Sequence, residues 1–220
     1  MIYITGDLHG EITRLSKLTL TADDTLIVCG DFGFACHVPA ENDFGLAWLA
    51  RQPYTVLFID GNHDNHDWLD AMPAEELYGG TVHRVRDNVF HLMRGQVYTI
   101  DGYRFFTMGG AASVDKPYRL QNGLPWWERE LPNGEELAAA AESLETVDWQ
   151  VDVVLTHTAP RAAIEALDER PYPPEAPLSD FLDALYADLT FSAWFFGHWH
   201  QDRVVGEKLF AIHEQVIPLS

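Results

Sequence analysis

Short runs of β-branched and other apolar residues alternate along the chain with stretches of helical spacing. The clearest apolar runs predict strands at 2–5, 25–29, 56–59, 153–156 and 193–196, and each run ends where a polar motif begins. Helical spacing predicts helices over residues 11–20, 43–50, 135–147 and 178–189. This alternation of strands and helices indicates an α/β layering.

Turn signals add detail to this picture. Residues 97–108 predict a β-hairpin, because Asp101 and Gly102 form a strong two-residue turn signal between alternating apolar residues. A second hairpin is predicted over residues 204–212. The proline-rich stretch 171–177 is interpreted as an ordered surface loop and not as a domain linker. At this length and without internal repeats, residues 1–220 are predicted to form a single domain.

The composition is that of a globular protein with a strongly acidic balance. Hydrophobic residues make up 47% of the chain, and 14 Lys+Arg stand against 34 Asp+Glu, which gives a formal net charge of -20. Such a charge repels polyanions, so neither long nucleic acid nor a membrane surface is expected as a partner. A phosphate-bearing substrate would need a local positive site, which bound metal ions can provide.

The N-terminal sequence has no basic stretch followed by a long apolar run, and no segment reaches the roughly 18 apolar residues of a membrane span. The two cysteines, Cys29 and Cys36, do not form the pattern of a disulfide framework. A cytoplasmic location is therefore expected.

Polar motifs follow the first three predicted strands, with the sequences GDLHG at 6–10, GDFG at 30–33 and GNHD at 61–64. Asp7 and His9, two residues apart at a strand end, can turn toward one point. Asp31 and Asn62 add hard oxygen ligands, and His63 adds a titratable group. Turn chemistry alone explains one Gly-Asp pair, but it does not explain three such turns that all carry ligand types.

Histidines follow the last two predicted strands. His157 lies between Thr156 and Thr158, and the motif GHWH at 197–200 carries His198 and His200. A lone histidine at a strand end is more often structural than a ligand. Two histidines at alternate positions behind a glycine, as a fifth strand-end cluster, favour a metal site.

In this order, GDLHG, GDFG, GNHD, TH and GHWH resemble the signature series of the calcineurin-like metallophosphoesterases, over residues 6–200. The match is to a small member without a cap domain, of bacterial or phage type. The resemblance implies the fold of that family: an α/β fold with a β-sandwich flanked by helices and a dinuclear metal site at the carboxyl ends of strands.

The resemblance also implies two divalent metal ions. The implied ligands form two groups joined by a bridging carboxylate: Asp7, His9 and His200 for one ion, Asn62, His157 and His198 for the other, and Asp31 between them. Mixed carboxylate and imidazole ligands favour Mn, with Fe, Zn, Ni or Co as alternatives, over calcium, which prefers a site made only of oxygen ligands. Two carboxylates against two divalent ions leave a net positive charge of about two.

The implied activity is hydrolysis of phosphomonoesters or phosphodiesters by in-line attack of a metal-bridging hydroxide. His63 is implied to donate the proton to the leaving oxygen; the alternative is that it only supports the ligands. A small phosphate ester is the expected partner. Two other functions stay open, namely a nuclease for short nucleic acid and a catalytically silent scaffold of the same fold. The oligomeric state is not indicated.

One departure from the pattern concerns the second motif. The Ser/Thr protein phosphatase branch of the family has GDxxDRG there, whose second Asp orients the histidine acid and whose Arg grips phosphate. Phe34, Ala35 and Cys36 occupy that region here. Both the partner of His63 and the arginine are thus missing from their expected place.

Residues 109–127 are predicted to supply replacement phosphate contacts, because Lys116 and Arg119 stand out there in a chain poor in cations. The equal alternative is that both pair with surface acids. Trp126 and Trp127 are interpreted as either an aromatic wall of the pocket or part of a core or interface.

Five histidines fall on no motif and are expected to have surface or structural roles: His37, His66, His83, His91 and His213. Of these, His66 is a candidate to support the ligands, because it closely follows GNHD.

Overall fold

In the computed structural model, which describes residues 1–219, three apolar strands from the N-terminal part of the chain form the middle of a seven-stranded sheet. They are β1 (Ile2–Thr5), β2 (Thr25–Cys29) and β3 (Thr55–Ile59), which pair in parallel. The other strands of this sheet are β4 (Ala74–Leu77), β5 (Gly80–Arg86), β6 (Val89–Leu92) and a short final strand, Ile217–Pro218. Every residue of β2 is buried, as expected for a parallel strand covered on both faces.

The second sheet has six strands and also has a parallel centre. Its strands are β7 (Gln96–Ile100), β8 (Tyr103–Met108), β9 (Val153–Thr156), β10 (Ala193–Phe196), β11 (Arg203–Val205) and β12 (Leu209–Ala211). Their order is β11-β12-β10-β9-β8-β7. Both predicted hairpins are confirmed, as β7 with β8 and β11 with β12. Asp101 and Gly102 both have positive φ, of 49° and 86°, as a two-residue type I′ turn requires.

The two sheets pack face to face, and helices cover their outer faces. Alternate residues of each strand point to opposite faces, so Leu57 and Leu155 meet between the sheets while Phe58 and Val154 face the helices. The first sheet is covered by α1 (Phe44–Leu49) and α2 (His66–Asp70). The helix α3 (Lys116–Gln121) has no buried residue, and the second sheet is covered by α4 (Gly134–Glu145), α5 (Arg161–Ala166) and α6 (Ala176–Asp188). The predicted sandwich flanked by helices is confirmed.

Three of the four predicted helices are confirmed, as α1, α4 and α6. The start of α4 is fixed by a capping box, in which the Asn133 side chain accepts from the N–H of Glu136 and the Glu136 side chain accepts from the N–H of Asn133. The stretch 171–177 is a loop only up to Tyr172, because a 3-10 turn at Pro173–Glu175 leads directly into α6.

The predicted helix over residues 11–20 is wrong, since the structure has only a 3-10 turn at Leu15–Lys17. Hydroxyl groups here bond locally: Thr13 Oγ1 donates to the Glu11 carboxylate at 2.9 Å, and Ser16 Oγ donates to Thr13 O at 2.8 Å. Such bonds compete with helical ones. The Arg14 guanidinium also reaches out of the segment and donates to three carbonyl oxygens, those of Gly6, Asp7 and His213.

Within residues 1–219, none of the helices combines the length and the apolar character that crossing a membrane requires. Cys29 is buried, Cys36 is half-buried, and both are free thiols.

Arg14→Met is expected to lower the free energy of unfolding by about 1–3 kcal/mol, because hydrogen bonds to charged groups contribute roughly 1.5–3 kcal/mol and the carbonyls lose their donor. Urea denaturation measures the change. Arg203→Met is the matched control, since Arg203 pairs with Asp168 at 3.2 Å at an exposed position and should change stability by no more than about 0.5 kcal/mol. If both variants lose the same small amount of unfolding free energy, the hydrogen bonds of Arg14 do not stabilise the loop of the first motif.

Candidate metal centre

All five polar motifs lie at the carboxyl ends of parallel strands. GDLHG, GDFG and GNHD follow β1, β2 and β3 of the first sheet, while His157 follows β9 and the GHWH motif follows β10 of the second sheet. Because parallel strands end at the same edge and the two sheets stack, these loops meet at one end of the sandwich. The structure brings together the side chains of all seven residues that the sequence predicted as ligands.

Asp7, His9 and His200 form a group that opens to solvent, here called the open group. Their ligand atoms all lie within 4.8 Å of one another. His9 Nε2 is 3.1 Å from His200 Nε2, and His200 Nε2 is 3.8 Å from Asp7 Oδ1. The His200 side chain is 52% exposed, whereas Asp7 is buried. Imidazole nitrogens and a carboxylate oxygen thus converge beneath an accessible surface.

Asn62, His157 and His198 form a second group, here called the buried group. Asn62 Oδ1 is 3.0 Å from His157 Nε2 and 3.0 Å from His198 Nδ1. His157 is completely buried, and its ring lies 5.1 Å from that of His198, centroid to centroid. The amide oxygen and two ring nitrogens therefore face a common point inside the protein.

Asp31 lies between the two groups. Its Oδ1 is 3.3 Å from His157 Nε2 in the buried group, and its Oδ2 is 3.8 Å from His9 Nδ1 in the open group. Only 1% of this residue is exposed. Each of its two carboxylate oxygens thus faces a different group, which is the position that the sequence prediction gave to the bridging ligand.

The backbone of this site is unusual. Five of the seven side chains belong to residues with positive φ: Asp7 (22°), His9 (48°), Asp31 (47°), His198 (65°) and His200 (48°). The left-handed region costs a non-glycine residue roughly 1–2 kcal/mol. Strain of this kind persists where the surrounding structure imposes it, and it is concentrated at functional sites. Here the sharp turns bring side chains two residues apart into one cluster: Asp7 and His9 both belong to the open group, and His198 and His200 belong to the two neighbouring groups.

Two glycines make room for these side chains. A Cβ at Gly61 would lie 2.2 Å from Asp31 Oδ1 and 2.3 Å from Asp31 N, and a Cβ at Gly30 would lie 2.1 Å from His157 Nδ1. Gly30 also has a φ of 85°. Any larger residue would displace a side chain of the cluster, so the glycines of the second and third motifs are required by close packing as well as by the turns.

Asp64, the last residue of GNHD, has a role that the sequence analysis did not assign. Its buried carboxylate accepts from Gly61 N at 2.7 Å, Gly33 N at 2.7 Å and Phe32 N at 3.2 Å. It therefore joins the second and third motifs through the backbone. Burial raises the pKa of Asp64 to about 6, and the nearby charge of Asp31 acts in the same direction.

The charges of the cluster perturb one another strongly. Burial raises the pKa of Asp7 to about 7; His157 lowers it and Asp31 raises it further. Burial lowers the pKa of His157, but the charge and hydrogen bond of Asp31, with the charge of Asp7, raise it to about 10. The pKa of Asp31 is held well below its usual range against the effect of burial, chiefly by His157. In their ionised form, these buried carboxylates need a positive charge beside them.

The donor set fits a divalent transition metal. Carboxylate oxygens, an amide oxygen and imidazole nitrogens are suitable ligands for such ions. His157 Nδ1 lies 2.9 Å from Cys29 O, so the ring donates through Nδ1, and Nε2 has a lone pair for an ion once its own proton is released. A second ring nitrogen bonded to a backbone carbonyl is the usual support of a metal-binding histidine.

His63 lies beside the cluster in a cavity of about 240 Å³ that His9, Cys36 and Trp127 also line. Its backbone N–H donates to Asp31 Oδ1 at 2.8 Å. Within the described residues, its buried Nδ1 has no hydrogen-bond partner, which agrees with the absence of the second Asp of the protein phosphatase motif. Burial lowers the pKa of His63, and Asp31 opposes this effect.

Arg119 lines the same cavity as His63, but Lys116 does not. Arg119 Nη2 is 3.4 Å from His63 Nε2, while its Nε donates to both oxygens of Asp115 at 2.9 Å. Lys116 Nζ instead lies 3.8 Å from the ring centroid of Trp126, a cation–π contact. Arg119 is therefore both placed near the site and paired with an acid.

Trp127 and Trp126 have different positions. Trp127 lines the cavity and donates through Nε1 to Asp67 Oδ2 at 3.1 Å, whereas Trp126 packs under Lys116. Only Trp127 is thus placed as an aromatic wall of the cavity.

The remaining histidines have supporting positions. His66 is buried, and its Nε2 lies 3.1 Å from Gly61 O behind the third motif. His213 stacks on His200 at 4.5 Å between ring centroids. His83 and His91 are buried beside each other on β5 and β6. His37, which no motif marked, lines the cavity of His63.

A second and wider groove adjoins the other side chains of the cluster. It encloses about 850 Å³ and is lined by His198, Trp199 and His200, together with the loop that carries Arg170 and Tyr172. Of the ligand candidates, His9 lines the small cavity, and His198 and His200 line the open groove; none of residues 1–219 lines both spaces.

The chain matches the family model of the calcineurin-like phosphoesterases over residues 1–202, which is most of its 220 residues. It therefore belongs to the calcineurin-like phosphoesterase family, and both the resemblance seen in the motifs and the predicted fold are confirmed. A protein of this family is a hydrolase of the phosphoesterase type.

Comparisons with individual proteins give less information about this chain than the family model does. No curated protein matches the chain. Among solved structures, the chain is similar to a phosphopantetheinyl hydrolase from Mycobacterium tuberculosis, with a TM-score of 0.48 and 18% identity, covering 96% of this chain and 87% of that one. This likeness is too distant to bear on the substrate.

Gly61→Ala is expected to lower the free energy of unfolding by about 1–3 kcal/mol, the usual effect of overpacking, and to reduce metal content, because the new methyl group displaces Asp31. Urea denaturation and metal analysis of the purified variant measure both effects. Gly134→Ala is the control: a Cβ at this first residue of α4 would meet nothing within 4 Å, so stability should be unchanged or rise by about 0.4–1 kcal/mol. A Gly61→Ala protein with normal stability and metal content contradicts the close packing described above.

Proposed function

We propose that this protein is a metal-dependent phosphoesterase that hydrolyses small phosphomonoesters or phosphodiesters. One observation carries the proposal: seven ligand-type side chains from five strand ends converge as two groups joined by Asp31. In this proposal the open group and the buried group each hold one divalent ion, with Mn as the expected metal. Such a pair of ions neutralises phosphoryl oxygens and lowers the pKa of bound water.

The proposed role of His63 is to donate a proton to the leaving oxygen. It is half-buried at the edge of the cluster, 5.6 Å from the ring of His9 by centroids, and it faces a cavity that can hold a leaving group. A proton donor must titrate near neutral pH and reach the leaving oxygen. The bond from its backbone to Asp31 ties the position of this ring to the proposed bridging ligand.

The proposed role of Arg119 is to contact a phosphoryl oxygen. Its side chain is 18% exposed, and its guanidinium is held by Asp115 and by the carbonyl of Pro125, at 3.1 Å, so that Nη2 faces His63. A fixed planar guanidinium is suited to phosphate. Because Asp115 neutralises much of its charge, Arg119 contributes direction more than net attraction.

The alternative functions are those of a nuclease for short nucleic acid and of a catalytically silent scaffold. The net charge of -20 opposes extended contacts with nucleic acid. The full set of ligand positions, with His63 beside them, favours catalysis over a silent scaffold. A parallel assay of an aryl phosphomonoester and a bis-aryl phosphodiester tests both the activity and the substrate class.

Removing metal with a chelator is expected to abolish hydrolysis, and adding Mn is expected to restore it. Asp31→Asn should be among the most damaging single changes, since Asp31 faces both groups. Turnover of the two aryl substrates is measured with metal content determined in parallel. Undiminished turnover by fully stripped protein would remove the proposed mechanism, and metal-loaded protein without turnover would favour the silent scaffold.

His63→Asn should retain both metals and lose rate by about 10² to 10⁴-fold on an alkyl phosphate ester, the usual contribution of general acid catalysis. The loss should be smaller for a nitrophenyl ester, because nitrophenolate leaves without a proton. His37→Asn is the matched control, since His37 lines the same cavity but has no assigned role. Equal losses on both substrates argue against a proton donor, and a missing metal would make His63 a ligand or its support.

Arg119→Ala is expected to lower kcat/KM for phosphate esters by about ten- to a hundred-fold, because a hydrogen bond to a charged group contributes roughly 1.5–3 kcal/mol. Metal content should not change. Arg129→Ala is the control, since Arg129 is 54% exposed and pairs with Asp70 away from the cavity of His63. If both variants match the wild-type kinetics, Arg119 only forms an ion pair with Asp115.

A further inference from the structure

The orientation of the Asn62 amide decides whether the buried group can hold a cation. An amide side chain carries an oxygen and an NH₂ group at similar positions, and only the oxygen can bind a metal ion. In the structure the oxygen lies 3.0 Å from both His157 Nε2 and His198 Nδ1. A reversed amide would place NH₂ at this point. The site therefore depends on a contact that distinguishes the two ends.

That contact is made by Ser113, at the far end of the amide. Asn62 Nδ2 donates to Ser113 Oγ at 3.2 Å, and both residues are at least 96% buried. A serine hydroxyl can donate as well as accept. If its proton pointed to Asn62, the reversed amide would be favoured, so the hydroxyl alone does not set the direction.

Glu130 sets the direction of the Ser113 hydroxyl. Ser113 Oγ donates to Glu130 Oε2 at 2.5 Å, and Ser113 N donates to Glu130 Oε1 at 3.0 Å. Burial raises the pKa of Glu130, whereas the two hydrogen bonds from Ser113 lower it and thereby favour the ionised form. An ionised carboxylate only accepts hydrogen bonds. The hydroxyl proton is therefore held on the Glu130 side, and a lone pair of Ser113 Oγ is left for the NH₂ group of Asn62.

Glu130 is itself fixed relative to the third motif. Its carbonyl oxygen accepts from Ala111 N at 3.2 Å and from Arg94 Nη2 at 3.3 Å. Arg94 also forms a buried ion pair with Asp60, in which its Nε and Nη2 lie 2.8 and 2.5 Å from Asp60 Oδ2. Asp60 precedes Asn62 by two residues, so the carboxylate and the amide are anchored to the same strand end.

We infer that Ser113 and Glu130 are positioning residues that keep the oxygen of Asn62 facing His157 and His198, and that they thereby set the affinity of the buried group for its ion. Neither residue contacts the open group. The inference rests on the proposed function, because it presupposes that the two groups hold metal. It predicts that a change in either residue lowers the binding affinity for only one of the two ions.

The test is a titration of metal-stripped protein with Mn by isothermal calorimetry, for wild type, Ser113→Ala and Glu130→Gln. Wild type is expected to bind two ions. Each variant should bind one ion normally and the other about 10- to 100-fold more weakly, the usual cost of losing a residue that orients a metal ligand. Glu130→Gln acts without removing Ser113. The backbone N–H of Ser113 needs the amide oxygen of the glutamine at the position of Glu130 Oε1, so the NH₂ group faces Ser113 Oγ and turns the hydroxyl proton toward Asn62.

Two controls separate orientation from general damage. Ser179→Ala makes the same chemical change at a buried serine whose Oγ has no partner within the described residues. Glu175→Gln neutralises a buried glutamate that accepts from Ala112 N at 2.9 Å and from Thr158 Oγ1 at 2.7 Å but does not contact Ser113 or Asn62. Both controls should bind two ions with wild-type affinity. Thermal melting of the stripped proteins shows which variants are folded.

The outcomes distinguish this inference from the proposed function. If wild-type protein binds no Mn, the proposed function itself fails. If wild type binds two ions and both test variants do so with unchanged affinity, only the role of Ser113 and Glu130 is overturned. Equal weakening of both ions, or an equal defect in Glu175→Gln, also overturns it, because either result indicates loss of structure or of buried charge and not of amide orientation.

Discussion

Two buried carboxylates, Asp7 and Asp31, share one cluster, and the rest of the site is arranged around the need to compensate their charge. Burial raises the pKa of Asp7 to about 7, and the neighbouring Asp31 adds to this effect. An uncompensated charge in a protein interior is strongly unfavourable. Without metal, the protonated ring of His157 is the closest compensation for Asp31. In the proposed metal-bound protein, two divalent ions would compensate the negative charge of both carboxylates.

The backbone around these carboxylates is shaped by the same constraint. Side chains from five loops must reach one point, which requires sharp turns with positive φ at Asp7, Asp31 and His198. Strain of this kind is tolerated because parallel strands with buried, alternating side chains hold the loop ends in register, and because Asp64 joins two of the loops through three backbone N–H groups. The stability of the layers thus supports local geometry that the loops would not adopt alone.

The sequence predicted the parts of the structure that local patterns determine. Five apolar strands, two hairpins and three helices follow from periodicity and turn chemistry, and the ligand candidates follow from the motifs at strand ends. The helix over residues 11–20 was predicted wrongly because Arg14 bonds to the first motif and to His213, about 200 residues away in the chain. Spacing within a segment contains no information about such a partner.

The residues that support the site were missed for the same reason. Ser113, Glu130 and Asp64 act through contacts between distant segments, and a single buried serine or glutamate has no motif. Lys116 and Arg119 looked equivalent in the sequence, since both are cations on one short segment. The two side chains differ in their contacts because of the rotation of α3 about its axis, which places Arg119 beside His63 and Lys116 over Trp126. A helix of 6 residues with no buried side chain gives no periodic signal from which that rotation could be predicted.

The most direct test of the account is to locate metal in crystals of the protein grown with Mn, by anomalous scattering. Two ions roughly 3.5–4 Å apart are expected, one beside Asn62 Oδ1 and the other beside His200 Nε2, with Asp31 in contact with both. A single ion, or ions that do not contact Asp31, would contradict it.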